Sequence, residues 1–378
     1  MRVWDSTAAL PLLAFRGHED AVTDAIFSGD DRFIASSSID GTLRLWETSA
    51  PVFTLIEPGQ EVPGVAFLDD STLVSGHSDE VVRVWSLKSG RVAQRVAVPG
   101  EISALSIAGR SHRIAVGLVN RASRTRGPLG VLARVIDGDT LVPIATLRGA
   151  VGTIQSIAAS VDGRSVATVS DSEHAVRLWD VASQREVHQW NVNAAPAALD
   201  PDGRHPGASS KWDVNAAPAA LAFAPDGSRL AAAVPTSVSE STIVVWSINS
   251  DNSHGSHPAL TIDTHAPVRA ITFTTDGTRL VSGCADGRLQ IWDAQSGQKL
   301  AERPGHDAAI AAVTVSPDGR RIASAGADKT VRIWNTDSYE LLLTLRLFSA
   351  VRSLAFNAAG DRLAAGRSGG VIQLWYSR

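Results

Sequence analysis

Three groups of residues have types and spacings that could do chemistry. His306, Ser324 and Asp328 are followed by Trp334, and the set recurs as His18, Ser36, Asp40 and Trp46 and as His265, Ser282, Asp286 and Trp292. Serine, histidine and aspartate together suit acyl transfer, with the imidazole accepting the hydroxyl proton and the carboxylate orienting it. Asp251, His254 and His257 crowd the stretch DNSHGSH and are metal-ligating types. Arg121, Arg124 and Arg126 in VNRASRTRGPLG have no acidic neighbour, and their guanidinium forks match carboxylate or phosphate.

Spacing weighs against the first two chemistries. A nucleophilic serine needs an exposed elbow and an oxyanion hole. Each serine here instead lies within an alternating apolar strand, ten residues before a tryptophan, and the arrangement occurs three times. A relay from the aspartate turn through histidine and serine to the indole N–H satisfies every polar group, so the sets are expected to be architectural. DNSHGSH is rich in Ser and Asn and is expected to be a solvated loop. No HExxH, GxGxxG or P-loop sequence is present, so neither metal nor cofactor is expected.

The elements that position these residues repeat along the chain. Of ten tryptophans, seven close a short alternating strand: Trp46, Trp85, Trp179, Trp246, Trp292, Trp334 and Trp375, with Trp4 in MRVWD an eighth. Ile136 in LARVID holds the tryptophan place of a degenerate unit. Within 306–345, the segments IAAVTV, RIASAG, TVRIW and ELLLTL are four period-2 strands separated by Gly, Asp and Pro turns, which predicts antiparallel pairing. No segment sustains a helical period.

The recurring Gly-His, Ser, Asp-Gly and Trp-Asp signature resembles the WD40 repeat, whose units of four strands stack radially as blades. The resemblance implies an all-β fold, a closed β-propeller of four-stranded blades forming one domain over 1–378. Eight blades are expected, with seven, the commoner number in the family, as the alternative. Units start near residues 17, 57, 99, 148, 213, 263, 304 and 347. Unit 8 holds only three strands, and Pro11–Phe15 is expected to supply its fourth, closing the ring at two otherwise bare edges. Unit 2 keeps Ser75, Asp79 and Trp85 but has Gln60 at the histidine place, and unit 8 has Ala365 and Gly369 at the Ser and Asp places.

Bulk properties narrow the function. A formal charge of -4 over 378 residues gives no basic field for nucleic acid. A single cysteine, Cys284, excludes a disulfide framework. No apolar run reaches membrane-spanning length, so a monomeric cytoplasmic protein is expected.

Interruptions of the repeat point to binding. Unit 3 carries ten extra residues around Arg121, Arg124 and Arg126, and unit 5 carries four around Ser237 and Glu240. WNVNAAPAAL (190–199) recurs as WDVNAAPAAL (212–221), which makes 191–212 an excursion between units 4 and 5, with the second copy leading into a strand. In a WD40-like blade all three would emerge on one face, beside His174 of unit 4, and offer a docking edge for a protein partner. The resemblance implies a non-catalytic scaffold or recognition module. A sensor domain of a larger signalling protein is the alternative, and an enzyme with a site at the channel mouth finds less support, since no titratable cluster converges there.

Overall fold

The computed structural model describes residues 2–4, 11–14, 21–27, 33–39, 43–47, 53–56, 61–108, 111–120, 130–149, 152–171, 175–192, 219–236, 239–248 and 257–376. Every regular element among them is a strand. Alternation of β-branched and aliphatic residues with polar ones dictates this, and the Asp-Gly turns permit the reversals. Gly163, Gly227, Gly277 and Gly319 hold the left-handed backbone that those turns require, at φ of 70°, 75°, 70° and 72°.

Units 2, 5, 6 and 7 each form an antiparallel four-stranded sheet in chain order. Unit 7 runs Ile310–Val315, Arg321–Gly326, Thr330–Asn335 and Leu341–Arg346. Units 3 and 4 have the same order but join into one larger sheet, because Val119 and Asn120 pair with Thr153 and Gly152. In unit 5 the first strand is Ala220–Phe223, which follows the second copy of the duplicated segment and pairs with Arg229–Pro235. Of the excursion, 191–212, only Asn191 and Val192 are among the described residues, and Asn191 ends the last strand of unit 4.

The strand beside the last one of unit 8 differs from the one the sequence suggests. The fourth strand beside Val371–Tyr376 is Phe53–Ile56, with Ile372 opposite Leu55 and Leu374 opposite Phe53. Pro11–Ala14 pairs instead with Arg2–Trp4. Both segments are short, apolar and placed after a Trp-bearing strand, so sequence alone could not choose between them. The consequence falls on unit 1. Its sheet keeps three strands, Val22–Phe27, Phe33–Ser38 and Leu43–Glu47, and gives its fourth to unit 8. Near the start of the inner strand Ile102, Ile154, Val268, Ile310 and Val351 are 0–2% exposed, but Val22 is 37% exposed and Ile26, further along its strand, 68%. Unit 1 lacks the neighbour that covers the others.

Cores lie between adjacent sheets. One cluster joins Leu280, Trp292 and Cys284 of unit 6 to Ala231, Ile243 and Val245 of unit 5. Another joins Leu55, Ile372 and Leu374 to Val65, Leu73 and Trp85 of unit 2. The second strands are the most buried, which explains their small residues: at Gly283 an added Cβ would stand 2.4 Å from Ile310 Cγ2.

Arginines tie neighbouring sheets at the end where the Asp-Gly turns lie. Arg229 donates to the Gly277 and Ala294 carbonyls (2.6 and 2.9 Å), and Arg321 donates to the Gly360 carbonyl at 2.9 Å. Arg113 reaches the Gly163 carbonyl at 2.8 Å. Between units 8 and 2 the tie is Asn357 Nδ2 donating to Asp70 Oδ1 at 2.7 Å.

Candidate functional site

Unit 7 contains the complete relay. The Trp334 indole N–H donates to Ser324 Oγ at 2.9 Å. Ser324 Oγ lies 2.8 Å from His306 Nε2, and His306 Nδ1 lies 2.9 Å from Asp328 Oδ2. Asp328, as a carboxylate, only accepts, so His306 Nδ1 carries the proton and donates to it; in the neutral imidazole Nε2 then accepts the Ser324 O–H, while the serine oxygen accepts from the indole. Thr330 Oγ1 completes the carboxylate shell at 2.9 Å. Burial pushes the His306 pKa down, against the opposite pull of Asp328. Burial alone would raise the Asp328 pKa, but hydrogen bonds from His306 and Thr330 outweigh it and hold the carboxyl below its ordinary value. The imidazole is thus neutral and the carboxylate charged at pH 7.

This arrangement cannot act as a hydrolase triad. Ser324 is 0% exposed, and its proton and an oxygen lone pair are both committed within the protein. No acyl group can approach Oγ. Cys284, the one thiol, is equally withdrawn, since burial pushes its pKa up to about 12.

The other units build the site differently. In unit 6 the Trp292 indole donates to Ser282 at 3.0 Å, but His265 is exposed, at φ 52°, and takes no part. The backbone bond that fixes the histidine place in unit 7, His306 N–H to Gly287 O, has its counterpart at Thr264 N–H to Ser241 O. Thr264 is the buried residue there, one position before the expected one, so His265 drops from the relay. Among the described residues, Asp286 then holds only the Arg288 N–H (3.0 Å) and its guanidinium (3.4 Å). In unit 4 Thr168 replaces serine beneath Trp179, at 2.9 Å.

Unit 2 holds a histidine that sequence spacing did not single out for the relay. His77 is 0% exposed and lies 2.7 Å from Ser75 Oγ, which also accepts from Trp85 at 2.8 Å. It approaches from the end of the second strand, not from the loop before the first where Gln60 was aligned. Asp79 is released from the relay and clasps Arg83 through two bonds, at 2.9 and 2.5 Å. The signal was a polar residue two positions past the serine.

In unit 1 Ser36 is buried and Trp46 lies on the Leu43–Glu47 strand, while His18 and Asp40 lie outside the described residues. So do Arg121, Arg124, Arg126, His174 and Ser237. Glu240 is exposed, and its carbonyl accepts from Thr236 N–H at 3.0 Å, closing the turn between two strands of unit 5. Asp251 and His254 lie outside the described residues, and among the described ones no cluster could hold a metal ion.

Comparison with known proteins agrees with the repeat. The WD domain, G-beta repeat model matches residues 10–47, 49–86, 141–180, 256–293, 297–335 and 340–376. Apoptotic protease-activating factor 1 from Homo sapiens is 27% identical over 218 residues, 57% of this chain and 16% of that protein. Target of rapamycin complex subunit LST8 from Saccharomyces cerevisiae is 27% identical over 189 residues, 48% of this chain and 60% of that one. Eukaryotic translation initiation factor 3 subunit I from Scheffersomyces stipitis is 30% identical over 171 residues, covering 43% and 42%. The chain thus spans less than two thirds of each of these relatives. Repeated matches over more than half of its length, on sheets of the expected register, place this chain in the WD40 repeat family.

Proposed function

We propose that the chain is a non-catalytic interaction scaffold that captures a protein partner through the loop face over units 3 to 5. The observation that carries this reading is the sealed relay of unit 7. Its serine, histidine, aspartate and tryptophan bind one another, which makes them architecture and not a reaction centre. Specificity then belongs to loops. In an antiparallel meander, the end of the second strand and the entry to the first lie at the same end of the sheet. The interruptions after Asn120, Asp171 and Thr236 and between Val192 and Ala219 therefore share one face. Arg121, Arg124, Arg126, His174, Ser237 and Glu240 belong to that face, and the arginines suit an acidic group on the partner.

Residues 53–376 are read as a ring of seven blades closed by Phe53–Ile56. The pairing of that strand with Val371–Leu374 and the core cluster shared with unit 2 support this count over eight. Several relatives are named as subunits of complexes, which fits a scaffold. A formal charge of -4 speaks against nucleic acid as the partner. No helix among the described residues is long and apolar enough to cross a membrane, and a monomeric, cytoplasmic ring is proposed. A second reading, a sensor domain within a larger signalling protein, is favoured by the match to apoptotic protease-activating factor 1, of which the chain covers 16%.

The test is affinity capture from native lysate with wild type and with Arg121, Arg124 and Arg126 all changed to Glu. Loss of the captured partner at an unchanged melting temperature is expected; undiminished capture removes the loops of unit 3 from the binding face.

A further inference from the structure

Unit 8 lacks the relay and places a charge in the same space. Ala365 stands at the serine place, Gly369 at the aspartate place, and Leu347, whose N–H donates to Lys329 O as that of His306 donates to Gly287 O, at the histidine place. Two positions past Ala365 is Arg367, only 5% exposed. The same position holds His77, Leu118, Ser170, Val234, Cys284 and Gly326 in units 2 to 7, none of them a permanent cation. Arg367 Nε donates to Ser349 Oγ at 3.1 Å and Nη1 to Gln373 Oε1 at 3.0 Å, both neutral acceptors. Nη2 donates to no described residue, yet it is not sealed from solvent. Among the described residues, no carboxylate lies within ion-pair distance of the guanidinium.

A buried cation needs a counter-charge, because removal from water costs several kcal/mol that neutral hydrogen bonds offset only in part. Burial pushes the Arg367 pKa below its ordinary value, although a guanidinium remains charged at pH 7. One neighbour extends the site outward. Phe348 is 59% exposed with the Arg367 guanidinium 5.9 Å from its ring centroid. A buried fork with an exposed aromatic surface beside it suits an anionic side chain entering end-on.

We propose that Arg367, with Phe348, is a binding site for the anionic side chain of a peptide, a carboxylate or a phosphate, at the loop end of unit 8. The site is separate from the loops of units 3 to 5, and its test does not depend on them. Nη2 and the solvent-facing edge of the guanidinium meet the anion, and Phe348 packs the chain that carries it.

The test titrates the full chain with inorganic phosphate and, separately, with glutarate at constant ionic strength, reading the melting temperature. A saturable rise is expected, since a ligand that binds only the folded state stabilises it. A rise with phosphate alone assigns the site to phosphorylated side chains; a rise with both assigns it to carboxylates as well. Arg367→Met should abolish the response, and without anions it should melt no lower than wild type. Arg367→Lys keeps the charge but not the fork and should weaken binding at least ~10-fold. Should the methionine variant not fold, the Arg367 side-chain N–H resonances of the 15N-labelled wild type, assigned with Arg367→Lys, should shift on phosphate titration and saturate. Absence of a saturable response in wild type to either anion overturns the proposal, as does a response that survives in Arg367→Met.

Discussion

Units 7 and 8 share a backbone and differ in what fills it. Their second strands, RIASAG and RLAAGR, have the same burial from end to end, and their first strands carry the same bulge after Ile310 and Val351. Unit 7 fills the space between turn and tryptophan with a neutral histidine sealed between Ser324 and Asp328. Unit 8 has Leu347 at the histidine place, carries Arg367 at the end of its second strand and draws its fourth strand from 53–56. The sheet is therefore set by alternation, small second-strand residues and turn chemistry. The relay is an added polar lock, and the blade without it has room for a charge.

Breaking unit 7 should cost most at its tryptophan. Trp334→Ala removes a 2% exposed indole that packs with Val281, Ile291 and Ile310, and a loss of ~3–5 kcal/mol is expected by denaturant unfolding. A loss below ~1 kcal/mol contradicts its place in the core.

The pairing of unit 8 with Phe53–Ile56 can be broken next. Deleting residues 1–60 removes Phe53–Ile56 and bares the edge of Val371–Tyr376, so a fall in melting temperature of more than ~5 °C is expected. Deleting 1–48 leaves that strand and should shift it by less than ~2 °C. Equal falls would return the closing role to Pro11–Phe15.

Ser324→Ala should cost ~1–3 kcal/mol, since it strands the Trp334 indole N–H and His306 Nε2 in a dry interior. The same comparison has a pH form. The folded pKa of His306 lies below its ordinary 6.5, so the unfolded chain binds its proton first as pH falls. Its contribution is whole above pH 6.5 and is lost as pH drops toward the folded value. The depressed Asp328 pKa acts in the same direction at lower pH. His306→Gln should accordingly flatten the decline of melting temperature between pH 7 and 5, and an unaltered slope would show that His306 is not buried neutral.

Much of this was legible in the sequence, for physical reasons that also mark the limit. Period-2 strands, Asp-Gly turns and the Trp ruler are local signals, and Ser324, Asp328 and Trp334 follow from them. The closing strand was not legible: Pro11–Ala14 and Phe53–Ile56 are both short and apolar, and their choice rests on long-range pairing. His265 failed because Thr264 holds the register one residue earlier, a shift that reverses which side chain faces inward. His77 and Arg367 were overlooked because they replace the relay from another strand position. The sheet-tying arginines were in plain view as DGSR, DGTR and DGRR, but their partners lie on the following unit.

The most direct measurement is a paired thermal melt, without added anions, of Ser324→Ala and Arg367→Met against wild type. With the relay as a structural lock and Arg367 as a cation held for a partner, the first variant melts lower and the second does not. Falls of equal size in both would contradict that division, and would make Arg367 one more part of the fold's architecture.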